Sequence, residues 1–285
     1  MKQQRISPAE ELLLLLQESW AVLLGETRNL VISLMFPVIA AGIIVWIAGK
    51  DMFLNYESTN SACFILVCAA IWGGLFNSIQ VVVKERENIK RDYVSGALRL
   101  GCYTTSRALV QLLLCAVQSV GLWLSLWGIH GIYGNDLPDG GLVFSSSMAE
   151  YYLTIFLIMY AADAMGLMVS CLVRSEQLAS QLSPYILIVQ LLFSGVLFAM
   201  EGIAKPFSGL MLSRWGMEAL GSTSDLNGLP LRLQEQFPMI PHEAKDAYLY
   251  TADHLWEVWG VLLVFILVPL LIGNLLLHRV EKDSR

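Results

Sequence analysis

Apolar residues fall in long runs separated by short polar or charged stretches. Six runs stand out, at roughly 30–49, 61–83, 107–129, 149–172, 182–200 and 256–277. Each has about the 20 residues that a helix needs to cross the hydrocarbon of a bilayer. The second run, Ser61 to Val83, is interrupted only by small or amide residues such as Asn77, Ser78 and Gln80. It turns abruptly charged at Lys84-Glu85-Arg86-Glu87-Asn88-Ile89-Lys90-Arg91-Asp92, and the next apolar run begins after Arg107. One span therefore feeds a short charged amphipathic element, which feeds another span. Within that element Ile89, Tyr93 and Ala97 recur at i, i+4 and i+8 and predict an apolar stripe flanked by Lys and Arg.

The ends of the chain follow different patterns. Ser7-Pro8-Ala9-Glu10 reads as a helix start, with Ser at the N-cap, Pro at the first helical position and acids in the first turn. Leu12 to Leu24, broken by Gln17, Glu18 and Ser19, is too polar and too short to span, and predicts an interfacial helix on the inner leaflet. The stretch from Glu201 to Leu255 is long for a structureless loop. Its apolar first part, Gly202 to Leu220, predicts short re-entrant or interfacial helices over the span ends. The expected fold is an all-α integral membrane protein. It has six transmembrane helices, an N-terminal interfacial helix over 1–29, a cytoplasmic helix at about 84–101 and an outer segment at about 201–255 before the last span. Residues 30–285 form one membrane domain.

Composition agrees. Of 285 residues, 56% are hydrophobic and 15% charged, against about 25% charged in soluble chains. The net charge of -6 matters less than where Lys and Arg fall. Thirteen lie in the segments placed inside and five in those placed outside, so both termini and the 84–107 loop are expected in the cytoplasm, with the chain multi-pass in the plasma membrane. The five cysteines sit in spans or the cytoplasmic loop and imply no disulfide framework. No cleaved signal peptide is expected at the N-terminus. The four histidines show no metal-ligand spacing, no nucleophile–base arrangement is visible, and the basic loop lacks a groove-binding motif. No enzyme active site, resident cofactor or nucleic-acid partner is expected.

Several polar residues lie within the apolar runs. Asp163 sits mid-span, where a charge costs about 2.5–3.5 kcal/mol, so it should face the bundle or a wet cavity. Hydrogen bonding to Gln190 or Gln118 is one reading, and substrate or proton handling is the other. Gln111, Gln118 and Ser125 recur every seven residues and share a helix face suited to helix–helix contact. Trp72, Phe76, Asn77 and Gln80 could line a central cavity, the aromatics stacking on a substrate and the amides orienting it; packing is the plainer alternative.

The sequence Asn77-Ser78-Ile79-Gln80, then Lys84-Glu85-Arg86, then Arg91-Asp92-Tyr93-Val94-Ser95-Gly96 resembles the second span and coupling helix of type-2 ABC exporter permeases. The resemblance is closest to the G subfamily, the White and multidrug-resistance half-transporters, and to bacterial permeases like them. Glu26-Thr27-Arg28-Asn29 is similar to their turn before the first span, Gly166 to Ser175 to the end of their fourth, and Phe193 to Phe198 to the close of their fifth. It implies a permease that dimerises with a second copy or a paralogue and exports an apolar or amphipathic substrate by alternating access. Lys84, Glu85, Arg86, Ile89, Arg91, Asp92, Tyr93 and Gly96 would couple to an ABC ATPase. Val196 and Leu197 would form an apolar gate that seals by excluding water, with Gly195 allowing the chain to break beside it.

The chain departs from the G subfamily in having no Gly-x-x-x-x-Gly-Lys-Ser/Thr phosphate loop. The ATPase, with its ATP and Mg, is expected on a separate subunit. Two rival readings remain. The charged loop could be a solvated connector, or the dock of a scaffold or sensor. Asp163 could be the proton site of a secondary transporter, although no inverted repeat is apparent.

Overall fold

The computed structural model describes residues 7–135, 137–138, 140–198, 200–230 and 245–282. Ten α-helices are used below: α1 (Pro8–Gly25), α2 (Thr27–Ala48), α3 (Tyr56–Ser78), α4 (Val81–Val94), α5 (Leu100–Tyr133), α6 (Ser147–Leu172), α7 (Glu176–Leu192), α8 (Ala204–Ser208), α9 (Leu212–Thr223) and α10 (Ala252–Leu277). No strand occurs among the described residues.

The expected start of α1 is present. The Ser7 hydroxyl accepts from Glu10 N at 3.2 Å and the Glu10 carboxylate accepts from Ser7 N at 3.1 Å, a reciprocal capping box that satisfies two otherwise orphaned donors. At the other end of the chain α10 matches the expected last run.

The core is built around α6, which makes its most extensive contacts with α3 and α10. In lipid, burying another leucine gains little, because acyl chains are as apolar as leucine; close packing and hydrogen bonds hold helices together instead. The α3–α6 contact is made accordingly from small residues. Gly74 lies so close to α6 that an added Cβ would meet the Met159 carbonyl oxygen at 2.0 Å, and one at Gly166 would meet Ser78 Oγ at 2.6 Å and Leu75 O at 2.7 Å. By contrast α2 keeps an exposed apolar face that includes Val31, Ile32, Ile39 and Ile47.

One expected span is displaced. The apolar run at 182–200 predicts a helix there, whereas α7 covers Glu176–Leu192. Its start is set by Ser175, whose hydroxyl accepts from Leu178 N at 3.3 Å. It ends where Gly195 takes a φ of +79°, a left-handed conformation that glycine adopts without strain.

The outer segment is packed, not loose. Along α9, Leu212, Met217, Ala219 and Leu220 are buried, against α3, α6 and α10. Its one buried acid, Glu218, takes Arg214 Nε at 2.9 Å. Beyond it Tyr248 folds back over Gly221 and Leu226, and burial pushes its phenol above the ordinary range. The sequence also places Pro230, Pro238 and Pro241 as breaks in this segment; the last two lie outside the described residues.

Candidate functional site

The charged element between the second and third apolar runs forms a corner. The chain breaks at Ile79-Gln80, and α4 starts at Val81. The first-turn amides of α4 have no partners within their own helix. Ser170 on α6 supplies one: its hydroxyl accepts from Val82 N at 3.0 Å and Val83 N at 3.1 Å. The helix stops after Val94. Gly96 has a φ of +75°, Ala97 N donates to Asp92 O and Gly96 N to Tyr93 O, both at 3.0 Å, which is a Schellman ending. The expected helix over 84–101 is therefore a shorter helix and a tight turn, and Ala97 lies beyond it.

The orientation of α4 corrects the expected apolar stripe. Ile89 is 3% exposed and packs with Val82, Leu100, Tyr103, Leu167 and Leu277. Tyr93 lies edge-on to His278, their ring centres 6.1 Å apart. Ile89 and Tyr93 thus anchor α4 to its own bundle, while Ala97 is exposed. Arg86 is engaged too, donating to the Cys171 and Val173 carbonyls at the end of α6, both at 3.0 Å. Glu85 accepts from Tyr103 Oη at 2.6 Å and from Arg107 Nη2 at 2.6 and 2.5 Å. What α4 leaves exposed is Lys84, Glu87, Asn88, Arg91 and Val94, spaced as one helix face, with Ser95 exposed just beyond its end. Of the residues expected to couple, Lys84, Arg91 and Gly96 are on the surface, Asp92 is half-buried, and the rest hold the corner together.

Behind this corner lies a cleft of about 440 Å³. Ser19, Val22 and Leu23 of α1 form one wall, and Glu26, Asn29, Leu30 and Ser33 another. Phe76, Asn77, Gln80, Val81, Lys84 and Glu85 form the third; Arg107, Val110, Gln111 and Leu114 of α5 close it. Three of the four expected cavity residues are thus brought together. Trp72 is not among them. It stacks on Phe76 with ring centres 6.0 Å apart, and both are about half exposed.

Asn77 joins the cleft to a polar network. Its Nδ2 donates to Gln118 Oε1 at 2.6 Å, Gln118 Nε2 donates to Ser33 O at 3.0 Å, and Gln111 Nε2 donates to Asn77 O at 3.3 Å. The amides spaced by seven on α5 therefore tie α2, α3 and α5 together, as a helix–helix role predicts. Two consequences follow for Asp163. Gln118 is committed to this network, and Gln190 accepts from Ser213 N at 3.1 Å. Neither is the expected partner of Asp163, which is fully buried with both carboxyl oxygens unbonded.

Val196 and Leu197 follow the break at Gly195. Val196 packs on the main core and Leu197 is 52% exposed, beside an exposed Phe198. No group of His, Cys, Asp and Glu suited to a metal occurs among the described residues.

The signals missed in the sequence were single hydroxyls inside apolar runs. Ser33 and Ser170 each bind across two helices, and nothing local to either marks its partner. Glu11 is another case: it accepts from Arg99 N at 2.6 Å and pairs with the Arg99 guanidinium at 3.3 Å, fastening α1 to the corner.

Comparison with protein families decides the class, because residues 10–223 match the ABC-2 type transporter. The chain belongs to the ABC-2 type transporter family. No curated protein matches it closely enough to name as a relative. As an ABC-2 membrane domain it is a transmembrane permease component and not itself an ATPase. Among the described residues, five stretches are long and apolar enough to cross a membrane: α2, α3 continuing into α4, α5, α6 and α10 with its C-terminal turn. The chain is accordingly a multi-pass membrane protein. With 17 residues, α7 is about 25 Å long, short of the roughly 30 Å of bilayer hydrocarbon.

Proposed function

We propose that this ABC-2 permease is the membrane subunit of an ATP-driven exporter whose ATPase is a separate chain. The observation that carries the reading is the exposed face of α4. Lys84, Glu87, Asn88 and Arg91 stand outward on a helix whose other face is locked to α5 and α6. A force applied to that face passes into the spans without loss through a flexible loop.

On this reading both termini and the α4 corner lie in the cytoplasm, the membrane is the plasma membrane, and α7 with the residues after it completes a sixth span. ATP and Mg bind the partner, and a second permease copy or a paralogue completes a dimer of the G-subfamily kind. The stacked Trp72–Phe76 pair, half exposed, then faces a shared cavity with Asn77 and Gln80, and Val196 and Leu197 seal it toward the outside. Closure of the ATPases moves α4, the seal opens, and an apolar or amphipathic substrate leaves.

The test is reconstitution. Tagged chain, purified from its native membrane, retains an ATP-hydrolysing subunit, and in vesicles amphiphiles stimulate hydrolysis and accumulate in the outer leaflet. Purification without any nucleotide hydrolase, from membranes in which transport persists, refutes the reading. One observation favours a second reading: the unbonded carboxyl of Asp163 suits a proton site, and transport driven by a proton gradient without ATP is its signature.

A further inference from the structure

The hydrogen bonds described above between α4 and its neighbours α5 and α6 fall in its first half, at Val82, Val83, Glu85 and Arg86. The second half, which carries Asn88 and Arg91 outward, is seated differently. Against it lies the 3₁₀ turn His278–Lys282 that follows α10. Val280 of that turn and Leu277 just before it are fully buried, in one apolar cluster with Ile89. The Tyr93 ring stands edge-on to His278, as noted above.

The two seats respond differently to force. A hydrogen bond weakens steeply as it is misaligned, so the first half of α4 resists displacement. Apolar contact has no preferred direction and follows the area covered. The second half can therefore roll on its seat at little cost while that area stays covered. Pushed at Asn88 or Arg91, α4 pivots about its first half and bears on the turn after α10. The load has a path onward from there. One turn before the end of α10, an added Cβ at Gly273 would meet Met168 Cα at 3.3 Å, so α10 lies close on α6. Beside it Asn274 Oδ1 accepts from Thr104 Oγ1 of α5 at 3.2 Å.

We propose that the His278–Lys282 turn is the moving seat of α4. The helix pivots on residues 82–86 and hands its displacement to α10, with Tyr93, His278 and Val280 as positioning residues. This rests on the exporter reading and adds to it the route by which force reaches the last span.

The experiment uses the full chain in nanodiscs with the hydrolase it retains, and compares hydrogen exchange without nucleotide and with a non-hydrolysable ATP analogue. Exchange is expected to change about fivefold or more at 87–94 and at 276–282, and to stay within about twofold at 81–86. A second measurement locks the seat. In Tyr93→Cys with His278→Cys, on a background of Cys68→Ser and Cys102→Ser, a short reducible bis-thiosulfonate reagent joins positions 93 and 278. ATP hydrolysis by the complex is expected to stop when they are joined and to return on reduction, with the hydrolase retained throughout. Exchange is read on the unmodified chain, so it decides the matter if the double variant misfolds. Unchanged exchange at 276–282 while 87–94 responds, an equal change at 81–86, positions that do not join, or hydrolysis that continues in the joined chain each overturns the proposal and leaves the exporter reading standing. An unmodified chain that retains no hydrolase sinks the exporter reading, and this inference with it.

Discussion

Glu85 holds Arg107 through both carboxylate oxygens, at 2.6 and 2.5 Å, across the corner where α4 meets α5. The Arg107 side chain is 9% exposed and that of Glu85 27%, so the pair is shielded from the water that makes surface ion pairs weak. Removing the acid strands a cation in the bundle. Glu85→Ala is expected to cost about 2 kcal/mol or more in stability, read as a lower melting temperature in detergent. Glu85→Leu combined with Arg107→Leu is expected to recover most of that loss; a double variant worse than Glu85→Ala contradicts the pairing.

The α3–α6 contact predicts a sharp contrast between two glycines. Gly74→Ala places a methyl group within 2.0 Å of the Met159 carbonyl oxygen, and overpacking of that kind costs about 1–3 kcal/mol. Gly42, on α2, has nothing within 4 Å of an added Cβ. Gly42→Ala is expected to be neutral or to stabilise by up to about 1 kcal/mol through helix propensity. Equal melting temperatures for the two variants refute the close packing.

The Asp163 carboxyl is fully buried beside Ser78, whose hydroxyl already donates to the Asp163 backbone carbonyl. Asp163→Leu is therefore expected to insert and fold as the parent does, with stability changed by less than about 1 kcal/mol, since no buried partner is left unpaired. Transport assays on the folded variant then separate its two readings. Full activity removes Asp163 from the functional residues, and loss of activity with an intact fold assigns it a part in transport.

Glu11 fastens α1 to the corner through Arg99 N at 2.6 Å. Glu11→Ala is expected to raise hydrogen exchange in α1 by what the loss of about 1–2 kcal/mol of local stability allows, with α6 unchanged. Exchange that rises equally throughout the bundle shows that α1 is not a separately fastened element.

How much of this was legible in the sequence depended on whether a signal was local. The Ser7 cap and the spans of α2, α5, α6 and α10 are written in neighbouring residues: a capping pair, or a run of apolar side chains. Gln111 and Gln118 announced a shared face by their spacing of seven, and they do bridge helices. The stripe of Ile89 and Tyr93 was visible as well, but periodicity shows that a face is apolar without showing what covers it. Here the cover is Leu100, Tyr103 and Leu277 of the same chain. The displacement of α7 has the opposite cause. Its apolar run extends past Gly195, while the helix is set by the Ser175 cap and the left-handed turn at Gly195. Contacts such as Ser170 with Val82 join residues 88 apart, and no pattern within either segment specifies the other.

The central claim is that the outward face of α4 meets a nucleotide hydrolase while its inward face does not. The most direct measurement is photo-crosslinking in intact membranes from a reactive side chain placed at Asn88, with the same group at Ile89 for comparison. The account predicts a covalent product between position 88 and a soluble-domain subunit bearing a phosphate-binding loop, and no such product from position 89. A position 88 that crosslinks to no hydrolase, or that is labelled only by reagents confined to the outer side of the membrane, contradicts it.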